Sequence, residues 1–452
     1  MSSGRPISEV RVTVTLALLY VFRMLGLFMV FPVMMIFGSE YEGATPFLLG
    51  LALGGYGLTQ AIFQVPLGLL SDIWGRKPVI YLGFAIFMVG SIVAASTDSI
   101  WGLVIGRALQ GAGAIAGAVM ALVGDLTSEQ NRTRAMAVIG ASIGLSFSVA
   151  MILGPLLASM GGLPTVFWTS ACLAFIGIAI LRLLVPDPPA GRKAGSDGLA
   201  VPTLLEKAVR NRELMRLNVG VFALHFALTA MFVVVPLVLD DAGVGTRQHW
   251  HYYLPVMMIA FVLMLPFMYV AERRRKIKTV FIGAVALLGL AEVFLVYVHS
   301  LEYWLLGLLI FFTGFNLLEA MLPSLVSKMA PAGNKGTAMG IFSTSQFLGA
   351  ASGGVIGGLC YQNWGFDSVL IAALCVNIVW LIMAVGMRAP RYLTSVCVPL
   401  EHDVPVEAIQ NAVPGVVEAL WVKEQALLYL KVDDQFFQKS ELNAFLQKAA
   451  VP

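Results

Sequence analysis

The sequence predicts an all-α polytopic membrane protein of twelve transmembrane helices in two six-helix halves, followed by a small α+β cytoplasmic domain of ferredoxin-like order. Three observations predict it: the apolar content, the placement of basic residues in alternate loops, and a change of composition after Pro390. Of 452 residues, 58% are hydrophobic and only 12% charged, and the mean hydropathy is +0.84. A soluble core cannot hide that much apolar surface.

Crossing the hydrocarbon takes a helix of roughly 20 apolar residues. Spans 1 to 6 are read at Val12–Phe37, Pro46–Leu70, Val79–Ser96, Ile100–Val123, Ala135–Met160 and Val166–Val185. Spans 7 to 12 follow at Leu217–Leu239, Tyr253–Val270, Val280–Val298, Trp304–Val326, Ala338–Tyr361 and Val369–Met387. The first run is too long for a cleaved signal peptide and lacks a small-residue cleavage site, so it is expected to stay as span 1. Arg76 and Lys77, Arg132 and Arg134, the stretch from Arg192 to Arg216, "RRRKIK" from Arg273, and Lys328 with Lys335 all fall on one side. By the positive-inside rule that side is cytoplasmic, which puts both termini there. The net charge of +3 then reports topology and implies no nucleic-acid partner.

Residues 187–216, with "PDPPAGRKAGSDG" and then an amphipathic stretch, read as a cytoplasmic connector bearing a surface helix. It separates an N-terminal half, 10–186, from a C-terminal half, 217–388. The halves echo each other: Arg132, Ala135, Met136 and Ser142 fall opposite Lys335, Ala338, Met339 and Ser345, with Gly111 opposite Gly314 and Gly154 opposite Gly357. Parallel repeats related by an axis along the membrane normal produce such a pattern. Residues 395–452 alternate as strand, helix, strand, strand, helix, the βαββα order of a ferredoxin-like domain without its last strand.

The loop between spans 2 and 3 reads "GLLSDIWGRK", with Gly68, Asp72, Gly75, Arg76 and Lys77, and span 4 carries "RALQGAG", with Arg107, Gln110, Gly111 and Gly113. Span 5 keeps Gly154-Pro155 but has Ala141 and Ala150 where a third motif places glycines. These motifs resemble those of the major facilitator superfamily of transporters. With the tail added, the chain resembles that family's drug:proton antiporters that carry a small cytoplasmic domain. The resemblance implies the major facilitator fold, alternating access, proton-coupled efflux of hydrophobic or drug-like molecules, and coupling of proton to substrate by Arg107. It also supports a relay of Asp72, Arg76 and Asp125.

The free N–H groups of span 11, near Gly336, lie on the same side as Asp72, so a carboxylate there can latch the two halves. Opening inward is expected to break this cluster, which would stabilise the outward-open state. The alternative is that these charges set topology and cap helices. Charges inside the membrane cost several kcal/mol unless paired or wet. Arg23 and Arg107 are such charges, and Arg23 can equally serve a structural bond. Glu319, one turn from Asn316, is the candidate for a proton-carrying acid, against the alternative of an interhelical hydrogen bond. His225 in span 7 reads either as a structural donor or as part of the coupling set. Tyr56, Gln60 and Gln64 share one face of span 2, as a polar strip toward the cavity or as interhelical bonds, and Gln110 and Asn316 join them as candidate lining. Glu292 in span 9 reads as peripheral. Gly349, Gly353 and Gly357 form a seam for close helix approach.

No "GxxxxGK[ST]" loop binds ATP, no CxxC spacing links Cys172, Cys360, Cys375 or Cys397, and His249-x-His251 reads as a solvated loop lacking a further ligand. The expectation is therefore no enzyme, no cofactor and no metal. The partners are a small-molecule substrate, protons, the lipid bilayer and a regulatory ligand for the tail, with the chain as a monomer. Uptake of a polar nutrient and a transporter-like sensor stay open as alternatives.

Overall fold

The computed structural model describes residues 9–187, 206, 208–298, 300–330, 335–389, 394–399, 406–422, 427–433 and 436–449. Most of the connector, residues 188–205, lies outside them. So does the side chain of Cys397. Among the described residues, ten segments are long and apolar enough to cross a membrane. The twelve spans expected differ from this number for two reasons. Spans 5 and 6 run together as one helix, and span 11 carries too many Ser, Thr, Gln and Asn side chains to register as apolar although it is 30 residues long.

The first half comprises α1 (Glu9–Phe28), α2 (Met34–Phe37), α3 (Pro46–Ile73), α4 (Arg76–Ala95), α5 (Ile100–Ala112), α6 (Ala116–Leu126) and α7 (Glu129–Leu183). The second comprises α8 (Arg212–Asp241), α9 (Trp250–Arg273), α10 (Ile277–Tyr297), α11 (Leu301–Met329), α12 (Lys335–Trp364) and α13 (Phe366–Val385). Span 1 was expected to run to Phe37, but α1 stops at Phe28. Pro32 cannot donate to the carbonyl four residues back, so the chain turns before α2. α7 breaks at Gly161 and Gly162, and Gly162, at φ 68°, holds a conformation that side chains disfavour.

Span 4 is broken as well, into α5 and α6 around Gly113, and its carbonyl accepts a hydrogen bond from Nη1 of Arg23 on α1. A guanidinium thus sits at the negative end of α5 and takes up a carbonyl that the helix leaves free. The unwound turn lies directly on α4, where a Cβ on Gly113 would stand 2.3 Å from the Gly83 carbonyl oxygen.

The halves meet along α3 and α12. A Cβ on Gly50 would lie 2.2 Å from the Gly354 oxygen, one on Gly54 2.4 Å from the Ala351 oxygen, and one on Gly57 2.7 Å from the Phe347 oxygen. Only hydrogen side chains allow such backbone contact. These glycines occupy the first half of α3, beside the Thr45 N-cap and the Phe47 N–H that donates to Gln362 Oε1 at 3.2 Å. Toward the other end, that of Asp72 and the basic loops, Gly68 has no atom within 4 Å of where a side chain would begin. The Gly349, Gly353 and Gly357 seam faces a different way: the first two would strike the Phe222 and Phe226 oxygens of α8, at 2.1 and 2.3 Å, within the second half.

The tail has β1 (Thr394–Pro399), α14 (Val406–Ala412), β2 (Val416–Val422), β3 (Leu427–Val432) and α15 (Lys439–Ala449). Its strands run β1-β3-β2, with β3 antiparallel to both neighbours, the split β–α–β arrangement. Ile409, Val413, Leu428, Leu430 and Leu442 form its core. The nearly buried Lys431 of β3 donates from Nζ to the Lys328 carbonyl, near the C-terminus of α11, at 2.7 Å. Lys328 in turn reaches Glu272 at the end of α9, 2.9 Å away.

Candidate functional site

Four groups of polar or aromatic side chains stand out. The first is the turn between α3 and α4. Gly75 adopts φ 95°, a value open chiefly to glycine, and so lets α4 begin at once with Arg76. Arg76 Nη1 donates to Asp72 Oδ1 and to Ser71 Oγ at 2.7 Å, and Nε donates to Asp125 Oδ2 at 3.2 Å. Lys77 Nζ donates to the Val185 carbonyl at 2.6 Å and pairs with Asp187 at 2.7 Å, bracing the end of α7. The structure thus brings Asp72, Arg76 and Asp125 together. The expected cross-half contact is not made: among the described residues Asp72 bonds to Arg76 and not to the start of α12. All three charges belong to one half, so the relay stands while the halves are in contact at the opposite end. Gly68 has space around it, so no close approach explains that glycine.

The second group lies inside the first half. Arg23 Nη2 donates to Gln60 Oε1, and Gln60 Nε2 to Gln64 Oε1 at 3.3 Å. Arg107 donates from Nε to the Ala52 carbonyl at 3.3 Å and from Nη1 to Gln110 Oε1 at 2.8 Å, while Gln110 Nε2 continues to Ser91 Oγ at 2.7 Å. The two guanidinium carbons lie 5.8 and 4.9 Å from the centroid of the Tyr56 ring, within cation–π range. Arg23, Gln60, Arg107 and Gln110 are fully buried, Tyr56 is 1% exposed and Gln64 8%. The polar strip therefore does not line open space. Tyr56, Gln60, Gln64 and Gln110 tie α1, α3, α4 and α5 together, because two buried cations need acceptors and the amides supply them.

The third group joins three helices of the second half. His225 of α8 has Nδ1 3.1 Å from the Val221 carbonyl, which can only accept, so Nδ1 carries the proton. Nε2 then accepts from Gln346 Nε2 of α12 at 2.7 Å, and Glu319 Oε2 of α11 stands 3.7 Å from the same nitrogen. The Glu319 side chain is 39% exposed and that of His225 11%. Asn316, a turn before Glu319 on α11, is half-buried. Gln346 is a functional candidate that sequence reasoning passed over, since a lone amide in a Ser- and Gly-rich helix gives no periodic signal.

The fourth group was also missed. Phe147 of α7 lies 6.0 Å from Phe232 of α8 and 6.4 Å from Phe312 of α11, and Phe31 lies 5.6 Å from Phe232, centroid to centroid. Phe28 joins edge-on to Phe147 at 5.0 Å. Aromatic rings from both halves thus close over each other, with Phe28 and Phe147 partly exposed.

Twelve expected spans, two halves joined by α3 and α12, and the charged α3–α4 turn find their match among known proteins. The family model "Major Facilitator Superfamily" covers residues 16–354 and again 256–428. The chain belongs to the major facilitator superfamily. It is 44% identical over 447 residues, 98% of each chain, to the "Inner membrane transport protein YajR" of Escherichia coli K12. Among solved members, it shares the fold of a bacterial homolog of the human lysosomal transporter Spinster in an inward-facing, occupied conformation. There the TM-score is 0.70 at 13% identity, over 85% of this chain and 97% of that one. The nucleoside transporter NupG matches with a TM-score of 0.65 at 15% identity, over 83% and 99%. Like other members of the superfamily, this one is a multi-pass transporter, of the inner membrane.

Two expectations need correction within this fold. His249 is fully buried, not solvated: Nε2 lies 3.0 Å from the Val244 carbonyl, and the ring packs edge-on against Tyr253. Its neighbours on α9 fold over it, so it is unavailable to a metal in solution, and no metal-binding group of His, Cys, Asp or Glu occurs among the described residues. Glu292 is not peripheral either; it is fully buried and accepts from Asn377 Nδ2 of α13 at 3.2 Å.

Proposed function

We propose that the protein is a proton-coupled secondary transporter that exports hydrophobic or drug-like molecules by alternating access. The observation that carries this reading is the Glu319–His225–Gln346 group, a partly exposed acid facing an imidazole that has one free valence for a proton. While His225 is neutral, Gln346 donates to Nε2 and holds α12 to α8. A proton arriving at Nε2 turns that nitrogen into a donor. It then points to Glu319, the ion pair draws α11 toward α8, and the Gln346 amide must let go or turn its oxygen inward. Protonation is thereby tied to the seating of α12, the helix that closes against α3.

With the basic loops placed in the cytoplasm by the positive-inside rule, the closed α3–α12 end is periplasmic and this conformation faces inward. In the outward-open state Asp72 would engage the N-terminus of α12, so the relay supplies a charge already held in place by Arg76. The aromatic group of Phe28, Phe31, Phe147, Phe232 and Phe312 offers an apolar surface at the junction of the halves, which suits an apolar cargo.

Inside-out membrane vesicles with an acidic interior and a fluorescent pH probe test this. A panel of hydrophobic cations should trigger proton release in the native protein and none in Glu319→Gln. If no compound releases protons from folded native protein, the coupling is refuted. Release driven only by polar nutrients moving the other way would make the protein an uptake system.

A further inference from the structure

We infer that Glu292 and Asn377 together hold a second proton, one that is bound permanently and never transported. The two residues belong to α10 and α13, and neither was assigned to the coupling machinery above. Asn377 Nδ2 donates to Glu292 Oε2 at 3.2 Å, and both side chains are buried, at 3% and 0% exposure. Two further atoms of this same pair, Glu292 Oε1 and Asn377 Oδ1, have no hydrogen-bond partner at all.

An ionised carboxylate only accepts, and an amide oxygen only accepts. With Glu292 ionised, the pair would bury two unsatisfied acceptors side by side, one of them charged, in the interior of a membrane-spanning half. A single proton on Oε1 resolves both. The hydroxyl then donates to Asn377 Oδ1 while the amide donates to Oε2, and the two groups close a ring of two hydrogen bonds. No other titratable group competes for the position. Leu288, Ala291, Leu295 and Ala373 around the pair are apolar and buried, and no charged side chain acts on Glu292. His225 of α8 is bonded to Gln346 and stands 3.7 Å from Glu319 of α11, and at the end of α9 Glu272 pairs with Lys328. Gly289, one turn before Glu292, packs beside the amide: a Cβ there would stand 3.4 Å from Asn377 Nδ2, an ordinary contact.

The chemistry separates this acid from Glu319. Glu319 is partly exposed and faces a group that changes protonation; Glu292 is sealed and faces a group that cannot. Its proton is a structural ligand that fastens α10 to α13.

Infrared spectroscopy of the full-length protein in detergent tests the inference without reference to transport. At neutral and mildly alkaline pH a protonated-carboxyl carbonyl band should be present in the native protein and in Glu319→Gln. It should disappear in Glu292→Gln and move to higher frequency in Asn377→Leu, where the hydrogen bond is gone. Glu292→Gln keeps a donor and an acceptor in place and should melt close to the native protein, whereas Glu292→Ala should melt clearly lower. A band that survives Glu292→Gln, or its absence from the native protein, overturns the inference. The transport arm rests on the coupling proposed above: Glu292→Gln should retain cargo-driven proton release that Glu319→Gln loses. Loss of release in a folded Glu292→Gln would make this proton a transported one, and so overturn the inference while leaving the coupling itself intact.

Discussion

Gly50 is the position at which one methyl group should change the conformational balance of the whole transporter. Its Cα lies so close to α12 that the Cβ of Gly50→Ala would stand 2.2 Å from the Gly354 carbonyl oxygen. Carbon and oxygen pack comfortably at roughly 3.4 Å, so the two helices must part by about 1 Å. The oxygen belongs to backbone and the Cβ is fixed to its own Cα, so neither can turn aside as the end of a longer side chain does. Overpacking of this kind costs about 1–3 kcal/mol. Because the contact exists only while the halves are closed at this end, the cost falls on one state alone. It should shift the equilibrium toward the other state by roughly 5- to 150-fold. The control is Gly349→Ala, whose Cβ would meet the Phe222 oxygen at 2.1 Å inside the second half, a contact kept in both states. Spin labels placed at Glu42 and Asn363, after removal of the native cysteines, report the separation of the halves by pulsed electron resonance. Gly50→Ala should enlarge the population with a long distance; Gly349→Ala should lower the melting temperature and leave the distances unchanged. Equal distance distributions in the native protein and Gly50→Ala would refute the idea that the α3–α12 seam is the closing surface.

Removing one acid at a time from the relay should cost unequal amounts. The Asp125 side chain is 18% exposed and that of Asp72 32%, so Asp125→Asn should lower the melting temperature more than Asp72→Asn, with the difference shrinking as salt is added. Arg107→Lys keeps the charge but loses the fork that bonds both the Ala52 carbonyl and Gln110, and should cost about 1–3 kcal/mol of stability and reduce transport; native behaviour would show the geometry to be unimportant. Lys431→Ala removes the bond to the Lys328 carbonyl, so amides of β3 and of the last turn of α11 should exchange faster in deuterium while the tail core around Leu428 and Leu430 stays protected. Uniform exchange in both proteins would mean that the tail is held elsewhere.

Much of the architecture could be read along the chain because it depends on local quantities. A run such as Leu217–Leu239 is apolar for long enough to span, and α8 (Arg212–Asp241) contains all of it. The α3–α4 turn was legible for the same reason: Gly75 is needed for its positive φ, and Arg76 follows Asp72 by only four residues, across that turn. The βαββα order of the tail also came from neighbours in sequence, through the period of its apolar residues and the turns between them.

What could not be read were relations between helices. Hydropathy ranks Gln60 and Gln110 as polar and sends them toward water, yet both are fully buried, because Arg23 and Arg107 are buried beside them and need acceptors. Glu292 looked peripheral until Asn377, distant in the chain, was found opposite it. Gln346 and Phe147 gain meaning only from His225 and Phe232 on the other helices. The sequence by itself determined the membrane class, the spans, the charged turn and the two-half plan, since burial in lipid and loop charge act on each segment alone. Only the tertiary structure decided which polar groups face one another, where the halves touch and which acid stays open, since those depend on how the helices pack and cross, which no single segment encodes.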